Sequence, residues 1–218
     1  MYAKDKGGSF ELAPAGNHLA RCVKLVDLGT TESTYQGVTH HRHQCLVMWE
    51  LPDELMKPNE AGDELPFIVS KFYTLSLHEK AKLRHDLISW RGRDFTPEEL
   101  KRFPMKNILG AACLVSVVHE KKTNGDMKAV VTAVAKVPKK TVVPDQVNPA
   151  VYFSMEPDEF DRDVFDSLSE GLQNLIAESD EWKGFSKPVV LAEKSKRLQT
   201  LTDEEELIAM EGDGGVPF

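Results

Sequence analysis

Asn124-Gly125 lies between two runs rich in β-branched and apolar residues, Ala112 to Glu120 and Met127 to Val137. That arrangement is the strongest short-range signal for a β-hairpin, so it commits this part of the chain to antiparallel pairing. The expected turn over Thr123-Asn124-Gly125-Asp126 is type I′, with positive φ at both central residues. Upstream, His18 to Leu28 and Val38 to Leu51 suit two strands, with Gly37 at the turn between them. Residues 52–66 carry Pro52, Pro58, Gly62 and Pro66 among mixed charges and read as a loop. Phe67 to Thr74 is β-branched and aromatic, a third strand.

Two helices are expected between the third and fourth strands. Ser76 with Glu79 and Thr96 with Glu99 have capping-box spacing, and Pro97 suits a first helical position. The first helix places Leu83, Leu87 and Trp90 on one face, and the second ends near Phe103-Pro104. The order strand, strand, strand, helix, strand, strand is that of an OB-fold, a five-stranded barrel with a helical insertion between strands 3 and 4. The expected fold class is therefore mainly β with helices. Its first domain covers residues 1–155, beginning with an arm or edge strand broken at Gly7-Gly8 and Pro14. A helical appendage follows over 156–185, in which Phe160, Val164, Leu168, Leu172 and Leu175 recur at helical spacing. That stripe can pack on the barrel or on a second copy, which makes a homo-oligomer one outcome. Residues 186–218 read as a disordered acidic tail, where Thr202 and Glu205 have the spacing to cap a short helix.

Charge divides the chain the same way. Residues 1–140 hold 21 Lys and Arg against 17 Asp and Glu, a balance of +4. Residues 141–218 hold 6 against 18, a balance of −12. A mildly basic body with an acidic C-terminal third points to a polyanion partner and an interaction tail. Cys22, Cys45 and Cys113 are odd in number and set among apolar residues, which argues for buried thiols in a reducing cytoplasm. No hydrophobic segment follows Met1-Tyr2-Ala3-Lys4-Asp5-Lys6, and no apolar run reaches a membrane span. The expectation is a cytoplasmic protein with no signal peptide and no membrane partner.

Binding a single strand needs cations that follow phosphates and aromatic faces on which bases stack. Lys80, Lys82, Arg84, Arg91 and Arg93 cluster near Trp90 and Phe95. Trp90 has core spacing, whereas Gly92 between Arg91 and Arg93 suits a loop that approaches a ligand. In the third strand, Lys71 and Tyr73 share one face and Phe72 takes the other. Tyr73 beside Lys71 is the first choice for a base contact. Tyr35, at the turn between the first two strands, is the second, with Lys24 and Arg42 adding phosphate contacts. The candidate nucleic-acid-binding set is thus Lys24, Tyr35, Arg42, Lys71, Tyr73, Lys80, Arg84, Arg91 and Arg93.

Catalytic and metal readings are weaker. His41, His43 and Cys45 share a strand face, but zinc calls for a second ligand cluster and none is present. The histidines then line a polar sheet face. Asp158, Glu159, Asp161, Asp163 and Asp166 read as the solvated face of a helix, not as a nuclease metal cluster. No Walker, dinucleotide-binding or Gly-x-Ser-x-Gly pattern occurs, so neither an enzyme nor a cofactor is expected.

The C-terminal tail carries Asp203, Glu204, Glu205, Glu206, Glu211 and Asp213 and has no Lys or Arg after Arg197. It closes with Val216-Pro217-Phe218, a rigid Pro and a Phe that solvent does not stabilise. This resembles the tail of bacterial single-stranded DNA-binding proteins, which end in an acidic run and Pro-Phe. In this chain Gly212, Gly214 and Gly215 intervene, and Val216 stands where Ile is usual. The resemblance implies recruitment of replication or recombination proteins through Asp213, Val216, Pro217 and Phe218, and competition between the tail and DNA. The body resembles a family of bacteriophage proteins expected to be single-stranded DNA-binding OB-folds. The matching segments are Gly16 to Cys22, Leu75 to Arg84, Trp90-Arg91-Gly92-Arg93 and Leu109-Gly110. The reading is therefore a bacteriophage protein for DNA replication and recombination, acting in the bacterial host's cytoplasm. The alternative is an acidic interaction module or DNA mimic that occupies the groove of a nucleic-acid enzyme.

Overall fold

The computed structural model describes residues 11–35, 38–56 and 64–184. Its centre is a six-stranded sheet, with strands β1 (Gly16–Tyr35), β2 (Val38–Leu55), β3 (Pro66–Thr74), β4 (Ala112–Lys121), β5 (Met127–Ala135) and β6 (Val151–Phe153). The hydrogen-bonded path runs β3-β2-β1-β4-β5, antiparallel throughout, and β6 joins β1 in parallel. The sheet curves until its ends approach without pairing. Across that seam the Lys71 ammonium on β3 donates to the Thr132 carbonyl on β5 at 3.3 Å. The sheet is not a closed barrel.

Two irregularities shape β1. Register shifts at Cys22/Lys24 and Asp27/Gly29 are bulges of the kind that bend a strand. They let β1 pair with β4 over Gly16–Arg21, then with β6 over Lys24–Val26, while β2 follows it on the other side. β1 and β2 consequently run further than the sequence pattern implies, to Tyr35 and Leu55.

The concave side of the sheet holds the main core. Cys22, Leu25, Val47, Trp49, Leu51, Phe67 and Val69 pack there with Leu83, Leu87 and Trp90 of α1 (Lys82–Arg91). Those three residues lie on one helix face as their spacing predicts, and the Trp90 indole donates to the Ala112 carbonyl at 2.8 Å. All three cysteines are buried and free. Burial raises their thiols, to about 12 for Cys22 and Cys45, so they behave as small apolar side chains.

The expected cap at Ser76 does not form. The Ser76 hydroxyl accepts from the His78 backbone at 3.2 Å, a local turn that delays the helix to Lys82. The second box does form: in α2 (Pro97–Lys101), Thr96 and Glu99 exchange both capping bonds and Pro97 opens the helix. A 3-10 turn at Met105–Ile108 leads into β4. The β4–β5 hairpin is present, but Gly125 alone takes positive φ, at 95°, and Asn124 does not. The turn is thus a three-residue loop with a left-handed glycine, not the type I′ turn expected.

The appendage is not one helix. α3 (Arg162–Ser167) ends at Leu168, and α4 (Glu170–Ala177) starts afresh after Ser169. The break resets the helical phase, so Phe165, Leu168 and Ile176 are buried while Leu175 is 41% exposed. With Phe153 and Met155 they form a second core on the convex side of the sheet, over Val26, Leu28 and Leu46. The appendage therefore packs on the outside of the β1–β2 arm. No helix among the described residues is long and apolar enough to cross a membrane. Residues 1–10, and the tail from 185 with Asp213, Val216, Pro217 and Phe218, lie outside the described residues.

Candidate nucleic-acid interface

The convex face of β1, β2 and β3 can be read directly from register, because residues opposite each other in an antiparallel pair share a face. One row is Lys24–Met48–Ser70 and the next is Val26–Leu46–Phe72. Arg42 lies further along β2 on the same face. The appendage covers Val26 and Leu46, but Phe72 beside them is 54% exposed and Ile68 is 37% exposed. Lys24 is half-buried and Arg42 exposed. This face thus brings together two expected cations and an aromatic ring in the middle of a paired strand.

That ring is not the expected one. Tyr73 and Phe72 do take opposite faces, but with sides reversed: Tyr73 is 3% exposed in the core. Its hydroxyl donates to Asp86 of α1 at 2.6 Å, and Lys71 reaches the same carboxylate at 2.7 Å. The Lys71 ammonium also lies 5.3 Å from the centre of the Tyr73 ring. Burial, then the bond to Asp86, raises the Tyr73 pKa. Lys71 and Tyr73 thus tie β3 to α1, which corrects their assignment to a ligand face. The phase was legible: Phe67 and Val69 share Tyr73's parity, while Ser70 and Thr74 flank Phe72 on the polar side.

The basic residues around α1 form a separate surface. Lys80 is exposed in the turn before the helix. Arg84 donates to the Leu77 carbonyl at 3.3 Å and pairs with Asp94 at 3.4 Å. Arg91 and Arg93 converge on Glu99, Arg93 through two bonds of 2.9 and 2.7 Å. The Arg93 bonds, with the Thr96 amide and Arg91, hold the Glu99 carboxyl down at about 2. Arg91 also lies over the rings of Phe95 and Phe103, at 4.5 and 5.0 Å. The side chain of Tyr35 lies outside the described residues. The β4–β5 hairpin adds Lys121, Lys122 and Lys128, all exposed, which the sequence reading did not select. Their signal was the lysine triplet flanking Asn124-Gly125.

Among the described residues, no group of three or more His, Cys, Asp or Glu could hold a metal ion. Cys45 is buried in the core, and His43 pairs with Asp27. Members of the acidic run at 158–166 have structural tasks. Glu159 accepts from the Tyr152 hydroxyl at 2.7 Å, Asp161 caps α3, and Asp166 pairs with Arg162 at 3.0 Å. Comparison with protein-family models and with curated proteins finds no match to this chain.

Proposed function

We propose that this chain is an OB-fold protein that binds single-stranded DNA without sequence preference, in bacteriophage replication or recombination. On this reading its acidic C-terminal tail recruits partner proteins. The strand path β3-β2-β1-β4-β5, with α1 between β3 and β4, supports the OB reading, and OB-folds bind oligonucleotides on the face of strands 2 and 3 and in the flanking hairpin loops. The observation that carries the reading is Phe72, exposed on that face of β3. Lys24 and Arg42 share its face, and the lysines of the β4–β5 hairpin supply further cations. Stacking gives sequence-tolerant affinity and the cations neutralise phosphates, so no catalysis is involved.

The test is a fluorescence-anisotropy titration of labelled oligo-dT at low and moderate salt, with duplex as competitor. Salt-sensitive binding that duplex does not displace is expected, with a log–log slope of about −0.7 per phosphate contacted. Removing residues 203–218 should tighten binding at low salt if the tail competes for the basic surface. No binding by either form would sink the reading. It would favour the alternative of an acidic interaction module, whose supporting observation is the exposed carboxylates of Glu156, Asp158, Asp163, Asp166 and Glu170.

A further inference from the structure

A cavity of about 630 Å³ opens beside the C-terminal end of α1. Trp90 and Phe103 supply aromatic wall, and Arg91, Arg93, Lys136 and Glu99 supply the charge. Three cations against one carboxylate leave the cavity positive. Arg91 is 15% exposed, held between its aromatic neighbours and Glu99, and its Nη1 is buried with no hydrogen-bond partner. An unpartnered buried guanidinium nitrogen is a donor with unused capacity in a place where desolvation makes that unfavourable.

Glu99 bridges the two guanidiniums as an oxyanion would. One carboxylate oxygen takes a donor from each arginine, and the other takes a second donor from Arg93 and the Thr96 amide. Paired arginine forks are the geometry that recognises phosphate, which brings more oxygens and more charge than a carboxylate. We propose that this cavity is a phosphate-binding site in which Glu99 is an internal stand-in for the ligand. The phosphate it takes is the terminal monoester of a bound single strand, and that source rests on the single-strand reading above. Gly92 belongs to the same design. It ends α1 at φ 70°, and the aliphatic stem of Lys136 lies against it so closely that a Cβ there would sit 2.8 Å from Lys136 Cδ.

The variant Glu99→Gln isolates the charge, because glutamine also serves at the third position of a capping box and keeps the Thr96 bond. The experiment compares 5′-phosphorylated with unphosphorylated oligo-dT on the full chain, on Glu99→Gln and on Arg93→Gln. Hydrogen bonds to charged groups predict a phosphate increment of about tenfold in the full chain. The increment should be larger in Glu99→Gln and lost in Arg93→Gln. Equal binding of the two oligonucleotides by the full chain and by Glu99→Gln overturns the phosphate site and leaves the single-strand reading intact. If neither oligonucleotide binds, inorganic phosphate is titrated while the arginine side-chain NMR signals are followed. A saturable shift in Glu99→Gln, absent in Arg93→Gln, supports an anion site supplied from free phosphate. No shift overturns it.

Discussion

The His43 imidazole lies 2.6 Å from the Asp27 carboxylate, in a junction that joins the β1–β2 arm to the appendage. Asp27 also accepts the Gly29 and Met155 amides at 2.9 and 3.2 Å. Glu181 lies 3.8 Å from the other imidazole nitrogen and takes both the amide and the hydroxyl of Thr30 at 2.6 Å. Hydrogen bonding to Asp27 is the largest influence on His43 and raises its pKa above the ordinary 6.5, helped by Glu181 and Glu156. Burial opposes ionisation of Asp27, but its bond to His43 and two backbone amides outweigh it and lower the pKa below 3.8. The raised histidine stabilises fully below pH 6.5, and that contribution fades as pH rises through its folded value. The depressed carboxylate stabilises fully above pH 3.8, and that contribution fades as pH falls through its folded value. Stability from this pair should therefore be greatest between those two ordinary values. Urea midpoints measured from pH 5 to 9 should fall on the alkaline side, and His43→Asn should flatten that fall.

Phe72 and Tyr73 are adjacent, yet their substitutions should have opposite readouts. Phe72→Ala should weaken oligo-dT binding by about 5- to 100-fold, the loss of one stacked base, with little change in stability. Tyr73→Phe should leave binding intact and lower stability by about 1–2 kcal/mol through the lost bond to Asp86. Anisotropy and urea unfolding on the same two proteins check both halves.

Gly29 has φ +71°, and a Cβ there would lie 2.3 Å from Met155 Cε and 2.5 Å from Ser179 Cβ. Gly29→Ala should cost about 2–4 kcal/mol from left-handed strain plus overpacking. The loss should appear first as faster proteolysis of residues 155–184. Gly171, near the start of α4, meets nothing within 4 Å, so Gly171→Ala should instead stabilise by about 0.5–1 kcal/mol.

Glu50 is fully buried and accepts the Val147 and Asn148 amides and the Asn148 side chain, at 2.8, 2.9 and 2.9 Å. These bonds anchor the segment that carries the chain from β5 to β6. Glu50→Ala should cost about 2–4 kcal/mol by leaving the donors without their acceptor. Glu50→Gln should recover only part of that, because its amide group turns a donor toward donors. Chemical unfolding of the three proteins separates the cases.

Several interactions within a few residues were legible from the sequence alone, although the cap at Ser76 and the type I′ turn did not form. The hairpin around Gly125, the Thr96–Glu99 box and the face of Leu83, Leu87 and Trp90 follow from spacing, because their partners are close in the chain. The first five strands and the buried thiols were legible for a related reason: apolar patterning selects strands and core before any contact is known. The three-residue β6 was not expected, because so short a run carries no pattern of its own. Other features depended on partners far away. That Lys71 and the Tyr73 hydroxyl are both taken up by Asp86 on α1 shows only in the packed structure. The split between α3 and α4 accompanies the packing of Phe165, Leu168 and Ile176 over Val26, Leu28 and Leu46. Asp27 meets Met155 across 128 residues, and Glu50 meets Asn148 across 98. Spacing and propensity describe a segment's own preferences, so they determined most of the elements and their order along the chain. Only the packed structure brings remote charges to one place, and so only it decided which cations are held by Asp86 and Glu99 and which face solvent.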